Sequence, residues 1–244
     1  MRAGHIRARF AGYMPPVTRI VLSIAAILAL LPAKAGAGDI GDQIAAAAIE
    51  RTRHDVIYDP AYRRIAYPLG DVAPGRGVCS DVIVRTLRAL DVDLQRLVHE
   101  DMRDAFAAYP ALWGLSAPDS NIDHRRVPNI ETFLTRRNAR LPASDNPADY
   151  KPGDIVAWNL KGSSGGTLAH IGVVTGEIGP SGAPMVVHNI GSGPMLEDVL
   201  FDWPMTGRFR LPDEFFSASR SCRSPRDVNC VYNDGSAPNA RRQQ

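Results

Sequence analysis

A single cysteine follows a glycine-rich turn in residues 75–84, and its surroundings suit thiol chemistry. Apolar side chains recur at steps of three and four residues beyond it, which predicts a buried helix that begins near Cys79. A cysteine at a helix N-terminus faces unpaired backbone N–H groups and the positive end of the helix dipole. Both stabilise a thiolate and lower its pKa from the free value of about 8.5. Cys79 is therefore a candidate nucleophile, and the alternative is a small buried side chain.

Thiol catalysis also needs a base and a group that orients the base. Of the six histidines, His170 and His188 each lie in an apolar segment with the character of a strand. An imidazole in a half-buried strand needs a polar partner, and two adjacent strands would bring these two rings together. The alternative is that each ring is satisfied by backbone groups.

A metal centre would use the same residue types. Cys79, Asp81 and the two histidines could ligate zinc, but they lack the close spacing of a paired-ligand motif such as His-x-x-x-His. The sequence also contains neither a phosphate-binding Walker loop nor a dinucleotide fingerprint. We therefore predict no metal and no cofactor.

The first 35 residues have the order of a secretory signal peptide. Arginines precede an apolar run at residues 20–31, and small residues at positions 33, 35 and 37 provide a cleavage site. The run is short for a membrane span, which needs about 20 residues, and an uncleaved anchor is the alternative. Cleavage removes basic residues only, so the formal charge of +2 falls below zero and no basic run remains for nucleic acid. We predict a bacterial periplasmic or secreted protein with no stable membrane span and no nucleic-acid partner.

The other two cysteines, Cys222 and Cys230, lie close together in a polar tail. In an oxidising compartment they can pair with each other, which leaves Cys79 as the odd thiol. An unpaired thiol in an exported protein indicates a function. A disulfide between Cys79 and either tail cysteine is the competing structural account.

Predicted helices precede predicted strands, which indicates an α+β domain. The helices cover residues 39–53, a segment from Cys79, a segment from Leu94 to about Ala108 with Asp93 as its cap, and a segment capped by Asn129. The strands cover residues 155–158, 168–175, 184–190, 197–201 and 206–211. We predict a signal peptide at 1–35, a catalytic domain at 36–211, and a polar, disordered tail at 212–244 with a possible Cys222–Cys230 disulfide.

Four motifs in order make the chain similar to the NlpC-type cell-wall peptidases, which share a papain-like cysteine peptidase fold. They are Tyr67 a dozen residues before Cys79, then residues 153–158, 170–174 and 186–188. The chain more closely resembles an uncharacterised family of exported bacterial proteins, through residues 77–81, 121–129 and 187–191. That resemblance runs from about residue 45 to 211. It implies a papain-like domain with N-terminal helices packed on a small antiparallel sheet.

The resemblance to the peptidases also implies roles for individual residues. The implied roles are Cys79 as nucleophile, His170 as general base, His188 as the orienting residue and Tyr67 as a helper near the oxyanion site. Asn189 is the alternative orienting residue, because neighbouring strand residues point to opposite faces and the register is open. The chain departs from the peptidases at Asp81, where they have glycine. A carboxylate so close to the thiol opposes thiolate formation unless an arginine, such as Arg125, neutralises it.

Residues 124–126, His124-Arg125-Arg126, have no counterpart in the peptidases. Paired arginines bind carboxylates bidentately, so Arg125 and His124, with Asp81 and Asn189, are candidate substrate-binding residues. The alternative is a loop held by nearby carboxylates at Asp119, Asp123 or Glu131.

Together these features predict a secreted thiol hydrolase that cleaves amide bonds in peptidoglycan stem peptides or related cell-envelope substrates through a thioester. An acyltransferase would use the same groups, with an amine in place of water. The alternative from another class is a non-catalytic binding module for the cell envelope that keeps the fold and the groove.

Overall fold

The computed structural model describes residues 39–162 and 166–216. The predicted signal peptide and the possible Cys222–Cys230 disulfide lie outside the described residues. Within the described part, no helix is both long enough and apolar enough to cross a membrane.

Four α-helices form one layer of the domain. They are α1 (Ile40–Arg51), α2 (Cys79–Arg88), α3 (Leu94–Ala105) and α4 (Val127–Arg136). Asp93 caps α3 by accepting a hydrogen bond from the Arg96 N–H, which confirms the predicted cap. The predicted cap Asn129 is wrong, because α4 begins two residues earlier with Pro128 in its first turn, where a missing N–H costs nothing.

The second layer is a six-stranded antiparallel sheet. Its strands are β3 (Arg140–Leu141), β4 (Ile155–Asn159), β5 (Ala169–Ile178), β6 (Pro184–His188), β7 (Met195–Glu197) and β8 (Met205–Phe209). Their order across the sheet is β3-β8-β4-β5-β6-β7. A separate parallel pair joins β1 (Ile57–Tyr58) to β2 (Arg76–Gly77). The predicted strands at 155–158, 168–175 and 184–190 are confirmed, whereas β7 ends where the predicted 197–201 strand begins.

Both faces of the sheet are buried, and the alternation of each strand decides which core a side chain joins. Ala157, Ile171 and Val173 pack with the helices in the main core, which also contains Cys79. Trp158 and its neighbours on the same face form a second core on the outer side of the sheet: Tyr150, Val156, Val174, Ala183, Val186 and Leu200. The domain is therefore a mixed helix-and-sheet fold with the sheet between two apolar layers.

The domain continues beyond the predicted boundary at residue 211. Phe215 and Phe216 are buried in the main core, and the Phe215 ring packs edge-on against Phe133 of α4. The prediction that a polar, disordered tail starts at residue 212 is therefore wrong for residues 212–216, because two aromatic side chains anchor them to the helical layer.

Candidate active site

Cys79 is the first residue of α2 and carries a free thiol. The thiol is almost completely buried, with the residue 5% exposed, and it borders a cleft of about 550 Å³. The backbone N–H groups of Ser80, Ile171 and Cys79 itself interact with the sulfur. A helix start and one edge of β5 therefore direct hydrogen-bond donors at the same atom.

A tyrosine accompanies the thiol, but it is not the predicted one. The Tyr58 hydroxyl interacts with the Cys79 thiol, and the pairing of Tyr58 with Gly77 in the β1–β2 ladder holds the two residues together. Tyr67 is 42% exposed and packs its ring against His99. The structure thus places Tyr58 where Tyr67 was predicted, because the helper position depends on a long-range strand pair rather than on spacing along the chain.

The electrostatics of the thiol differ from the prediction made for a helix N-terminus. Burial raises the pKa of Cys79 to about 11, against the opposing effect of the Ser80 and Ile171 N–H groups. Desolvation disfavours a charged sulfur more strongly than these two N–H groups and that of Cys79 itself favour it. The predicted lowering of the pKa is therefore wrong for this conformation, in which the thiol is protonated at neutral pH.

His170 and His188 form the predicted pair. His170 Nε2 lies 2.7 Å from His188 Nδ1, and His188 Nε2 lies 2.8 Å from Glu197 Oε2 with the carboxylate off the ring's N–H axis. Trp158 stacks on His170, and Trp203 packs edge-on against both imidazoles. The two histidines therefore share one aromatic compartment that opens toward a carboxylate.

Strand register explains both the pairing and its position relative to the thiol. His170 is the cross-strand partner of Trp158, and His188 is the partner of Gly172, so both rings lie on the outer face of the sheet. The main core that contains Cys79 is on the other face. No hydrogen bond among the described residues joins an imidazole to the thiol, although the sulfur contacts the backbone N–H of Ile171, the residue after His170.

Burial keeps both imidazoles neutral. Burial, together with the proximity of His188, lowers the pKa of His170 to about 3. Burial also lowers the pKa of His188, while Glu197 acts in the opposite direction. At neutral pH the site therefore holds a neutral thiol and two neutral imidazoles rather than a thiolate–imidazolium ion pair.

Asp81 is paired with Arg125, as the sequence suggested. Arg125 Nε and Nη2 each donate to one Asp81 oxygen at 2.8 Å, and both side chains are buried. The Asp81 carboxylate also accepts the Val78 N–H at 2.6 Å, which closes the first turn of α2. Arg125 is thus committed to Asp81, which leaves the neighbouring Arg126 as the more accessible cation beside the cleft.

The remaining predicted binding residues lie at other points of the fold. His124 is buried among positive groups, and burial lowers its pKa to about 3 with Arg125 and Arg88 acting in the same direction. Asn189 borders a small space beside Val78 and Asp81, on the α2 side of the sheet, and its Oδ1 accepts the Gly191 N–H. Its Nδ2 is buried and has no described partner. The sheet therefore separates Asn189 from His170, whereas His188 contacts His170 directly.

Comparison with known proteins places this chain in a family. Residues 45–211 match the family model described as Domain of unknown function (DUF1287). The chain belongs to this family. It is 54% identical to YijF, an uncharacterized protein of Escherichia coli strain K12, over 167 residues that cover 68% of this chain and 80% of YijF.

Among solved structures, this DUF1287 domain is similar to NlpC1 from Trichomonas vaginalis. The match has a TM-score of 0.39 and 15% sequence identity, and it covers 71% of this chain. The chain spans 44% of the length of that NlpC1 chain.

Two site residues of the DUF1287 domain were not predicted. Glu197 contacts His188 from β7, and Tyr58 contacts Cys79 from β1. The sequence carries a signal for each: residues 56–58 have the pattern of a short strand, and Glu197 is the first acid after the strand that contains His188. Neither signal specifies which strand is the neighbour.

The raised thiol pKa leads to a first prediction. In a Cys222→Ser/Cys230→Ser background at pH 7.5, we expect iodoacetamide to label native Cys79 at least 100-fold more slowly than the same chain in denaturant, where the thiol pKa is about 8.5. The labelling rate should rise about tenfold per pH unit up to pH 9 without a plateau. A rate that levels off below pH 8 would show instead a thiolate stabilised in the native state.

Proposed function

We propose that this protein is an exported, thiol-dependent hydrolase of amide bonds with a papain-like catalytic arrangement, acting on peptidoglycan stem peptides or related cell-envelope peptides. The observation that carries the proposal is the convergence at Cys79. A cysteine at a helix start borders a large cleft, receives three backbone N–H groups, and lies beside the strand that carries His170, the partner of His188. Backbone N–H groups directed at one point also suit an oxyanion.

In the proposed reaction, His170 takes the thiol proton through Nδ1, the nitrogen that makes no hydrogen bond to the described residues, while His188 holds Nε2. The sulfur attacks the carbonyl carbon, and the resulting oxyanion accepts the N–H groups at the start of α2. Collapse breaks the C–N bond, and the proton on His170 goes to the leaving amine. Water then hydrolyses the thioester and releases the acid.

The thiol and the imidazole must close a gap for this transfer to occur. They are not hydrogen-bonded in the structure, but the sulfur contacts the residue next to His170. Because the two side chains lie on opposite faces of the sheet, the proposal requires the start of β5 to change its orientation when substrate binds, which is more than the tightening of a long hydrogen bond. Because both groups are neutral at rest, the proposal requires proton transfer during attack rather than a preformed ion pair.

The cleft wall supports a peptide with a free carboxylate as the substrate class. Tyr58, Tyr62 and Trp113 provide aromatic surface, and no carboxylate occurs among the described residues that line the cleft. The Arg126 guanidinium lies 4.1 Å above the Trp113 ring and also bonds Asp123. A cation held over an aromatic ring, with donors left over, suits an acidic peptide.

A non-catalytic binding module is the second candidate. It is favoured by one observation, the protonated and nearly buried thiol without an imidazole partner. In this alternative the cleft binds an envelope peptide and Cys79 only fills space at the start of α2.

Purified peptidoglycan fragments distinguish the two candidates. We expect wild-type protein to produce a new free amine and a new carboxylate, detected by mass spectrometry, and Cys79→Ala to abolish the products. Substitution of exposed His54 with alanine is the control and should leave turnover unchanged. Products that persist in Cys79→Ala would exclude the thiol mechanism. Binding to fragments without turnover would establish the binding module, and transfer to added amines in preference to water would indicate an acyltransferase.

A further inference from the structure

We infer that Glu197 is a positioning residue of this site, and that it fixes which nitrogen of each histidine carries a proton. Its carboxylate orders the His188 and His170 tautomers so that His170 Nδ1 keeps a free lone pair. The catalytic meaning of this inference rests on the proposed function, but the tautomers themselves do not.

The Glu197 carboxylate decides which nitrogen of His188 carries the proton. An ionised carboxylate only accepts hydrogen bonds, so a nitrogen close to it must carry hydrogen. His188 Nε2 lies 2.8 Å from Glu197 Oε2, and this ring atom is buried without another partner among the described residues. Two lone pairs at that separation would repel each other, even with the carboxylate off the ring axis. The proton of His188 therefore resides on Nε2.

The second step passes to His170. A neutral imidazole carries one N–H, so a proton on His188 Nε2 leaves His188 Nδ1 as an acceptor. His170 Nε2 lies 2.7 Å from that acceptor and must be its donor. Both rings are neutral because burial lowers their pKa values. His170 Nδ1 is thus left without a proton, which is the state that a general base requires.

The position of Glu197 suits this role. Its side chain is 35% exposed, so water hydrates one side of the carboxylate while the other faces the buried ring of His188. β7 pairs with β6 through Val186↔Glu197 and His188↔Met195, so the register places the carboxylate diagonally across from His188. A short edge strand thereby supplies an acceptor to a pair of rings that have no other described acidic partner within hydrogen-bond distance.

Glutamine at position 197 tests whether the Glu197 carboxylate decides which nitrogen of each ring carries a proton. An amide N–H facing His188 Nε2 would donate to it, which moves the His188 proton to Nδ1. His170 Nε2 would then have to accept, and its own proton would move to Nδ1, the atom that must act as base. Alanine removes the bias instead of reversing it. The two substitutions therefore differ in their expected tautomers although both remove the carboxylate.

The tautomers are measured with long-range ¹H–¹⁵N NMR spectra of the full chain labelled at histidine. In the wild type we expect both His170 and His188 as Nε2–H tautomers. In Glu197→Gln we expect a shift of both rings to Nδ1–H, and in Glu197→Ala a mixture. Glu177→Gln, an exposed substitution on β5, is the control and should leave the spectra unchanged. An Nδ1–H form of His170 in the wild type, or unchanged tautomers in both Glu197 variants, would overturn the inference.

Turnover gives a separate readout. If fragments are hydrolysed, Glu197→Gln should lower kcat by about 100-fold or more, as expected for a base held in the wrong tautomer. Wild-type tautomers as expected, with no turnover on any fragment, would reject the proposed hydrolase and leave the positioning role of Glu197 intact. Turnover by a wild-type protein whose His170 is an Nδ1–H tautomer would support the hydrolase and reject the positioning role of Glu197.

Discussion

Replacement of Arg125 with methionine is expected to lower the free energy of unfolding by about 3–5 kcal/mol. Methionine keeps the unbranched apolar stem of arginine, so the loss comes mainly from the charge and its hydrogen bonds rather than from a large cavity. Without the guanidinium, the buried Asp81 carboxylate keeps one hydrogen bond, from the Val78 N–H, and no counter-charge among the described contacts. Removal of one partner of a buried ion pair leaves an uncompensated charge in a medium of low polarity, which is the costly case.

Urea unfolding curves measure this loss. The control is Arg53→Met, which removes an exposed ion pair with Glu50 and should cost about 1 kcal/mol or less. The double substitution Asp81→Leu/Arg125→Met removes both charges and should be less destabilised than Arg125→Met alone. A loss below 1 kcal/mol for the single variant would mean that water reaches Asp81 and that the pair is not a buried one.

The same ion pair connects stability to the site. Ser80 Oγ donates to the Arg125 carbonyl at 2.7 Å, so two successive residues of α2 hold the short 3₁₀ turn Asp123–Arg125. The next residue, Arg126, lines the cleft beside Trp113. Asp81 therefore serves the cleft indirectly, because it fixes the turn from which Arg126 extends. This explains a carboxylate two residues from the thiol, where its charge by itself opposes ionisation of the sulfur.

Local sequence patterns were sufficient for most of the elements. The periodicity after Cys79 predicts α2, Asp93 predicts the start of α3, and apolar runs predict β4, β5 and β6. The bounds of β7 and β3 were not predicted, because strands of two or three residues carry almost no periodicity. Phe215 and Phe216 fall in the predicted tail, because their burial depends on contact with α4, about 80 residues earlier in the chain.

The candidate site was predictable in composition but only partly in geometry. The His170–His188 pair and the Asp81–Arg125 pair were both expected, because a buried polar group must find a partner of matching chemistry. The face on which His170 lies was not, since a shift of one residue in register moves every side chain to the other face. The thiol pKa was predicted in the wrong direction, because the effect of the helix start is visible in sequence whereas the depth of burial is not.

Acid is expected to destabilise this protein strongly through its buried histidines. The pKa values of His124 and His170 lie at about 3 in the folded chain, below the value of about 6.5 expected after unfolding. Between these two pKa values the imidazoles of His124 and His170 are protonated in the unfolded chain but not in the folded chain. The free energy of unfolding therefore rises with pH. The stability that the two neutral histidines contribute is fully present above about pH 7, and it is lost as the pH falls toward 3. At pH 4.5 each histidine costs roughly 2–3 kcal/mol, and the two together cost about 5 kcal/mol.

Unfolding free energies of the wild type and His124→Gln at pH 7.5 and pH 4.5 isolate one of these contributions. Carboxylates and His170 titrate alike in both proteins, so only the change between the two pH values is compared. Glutamine does not titrate, and the variant should therefore lose roughly 2–3 kcal/mol less than the wild type on acidification, even if it is less stable at both pH values. His54→Gln alters an exposed imidazole and should lose as much as the wild type. Equal losses in His124→Gln and the wild type would mean that His124 is protonated in the folded chain, which its burial beside Arg125 and Arg88 opposes.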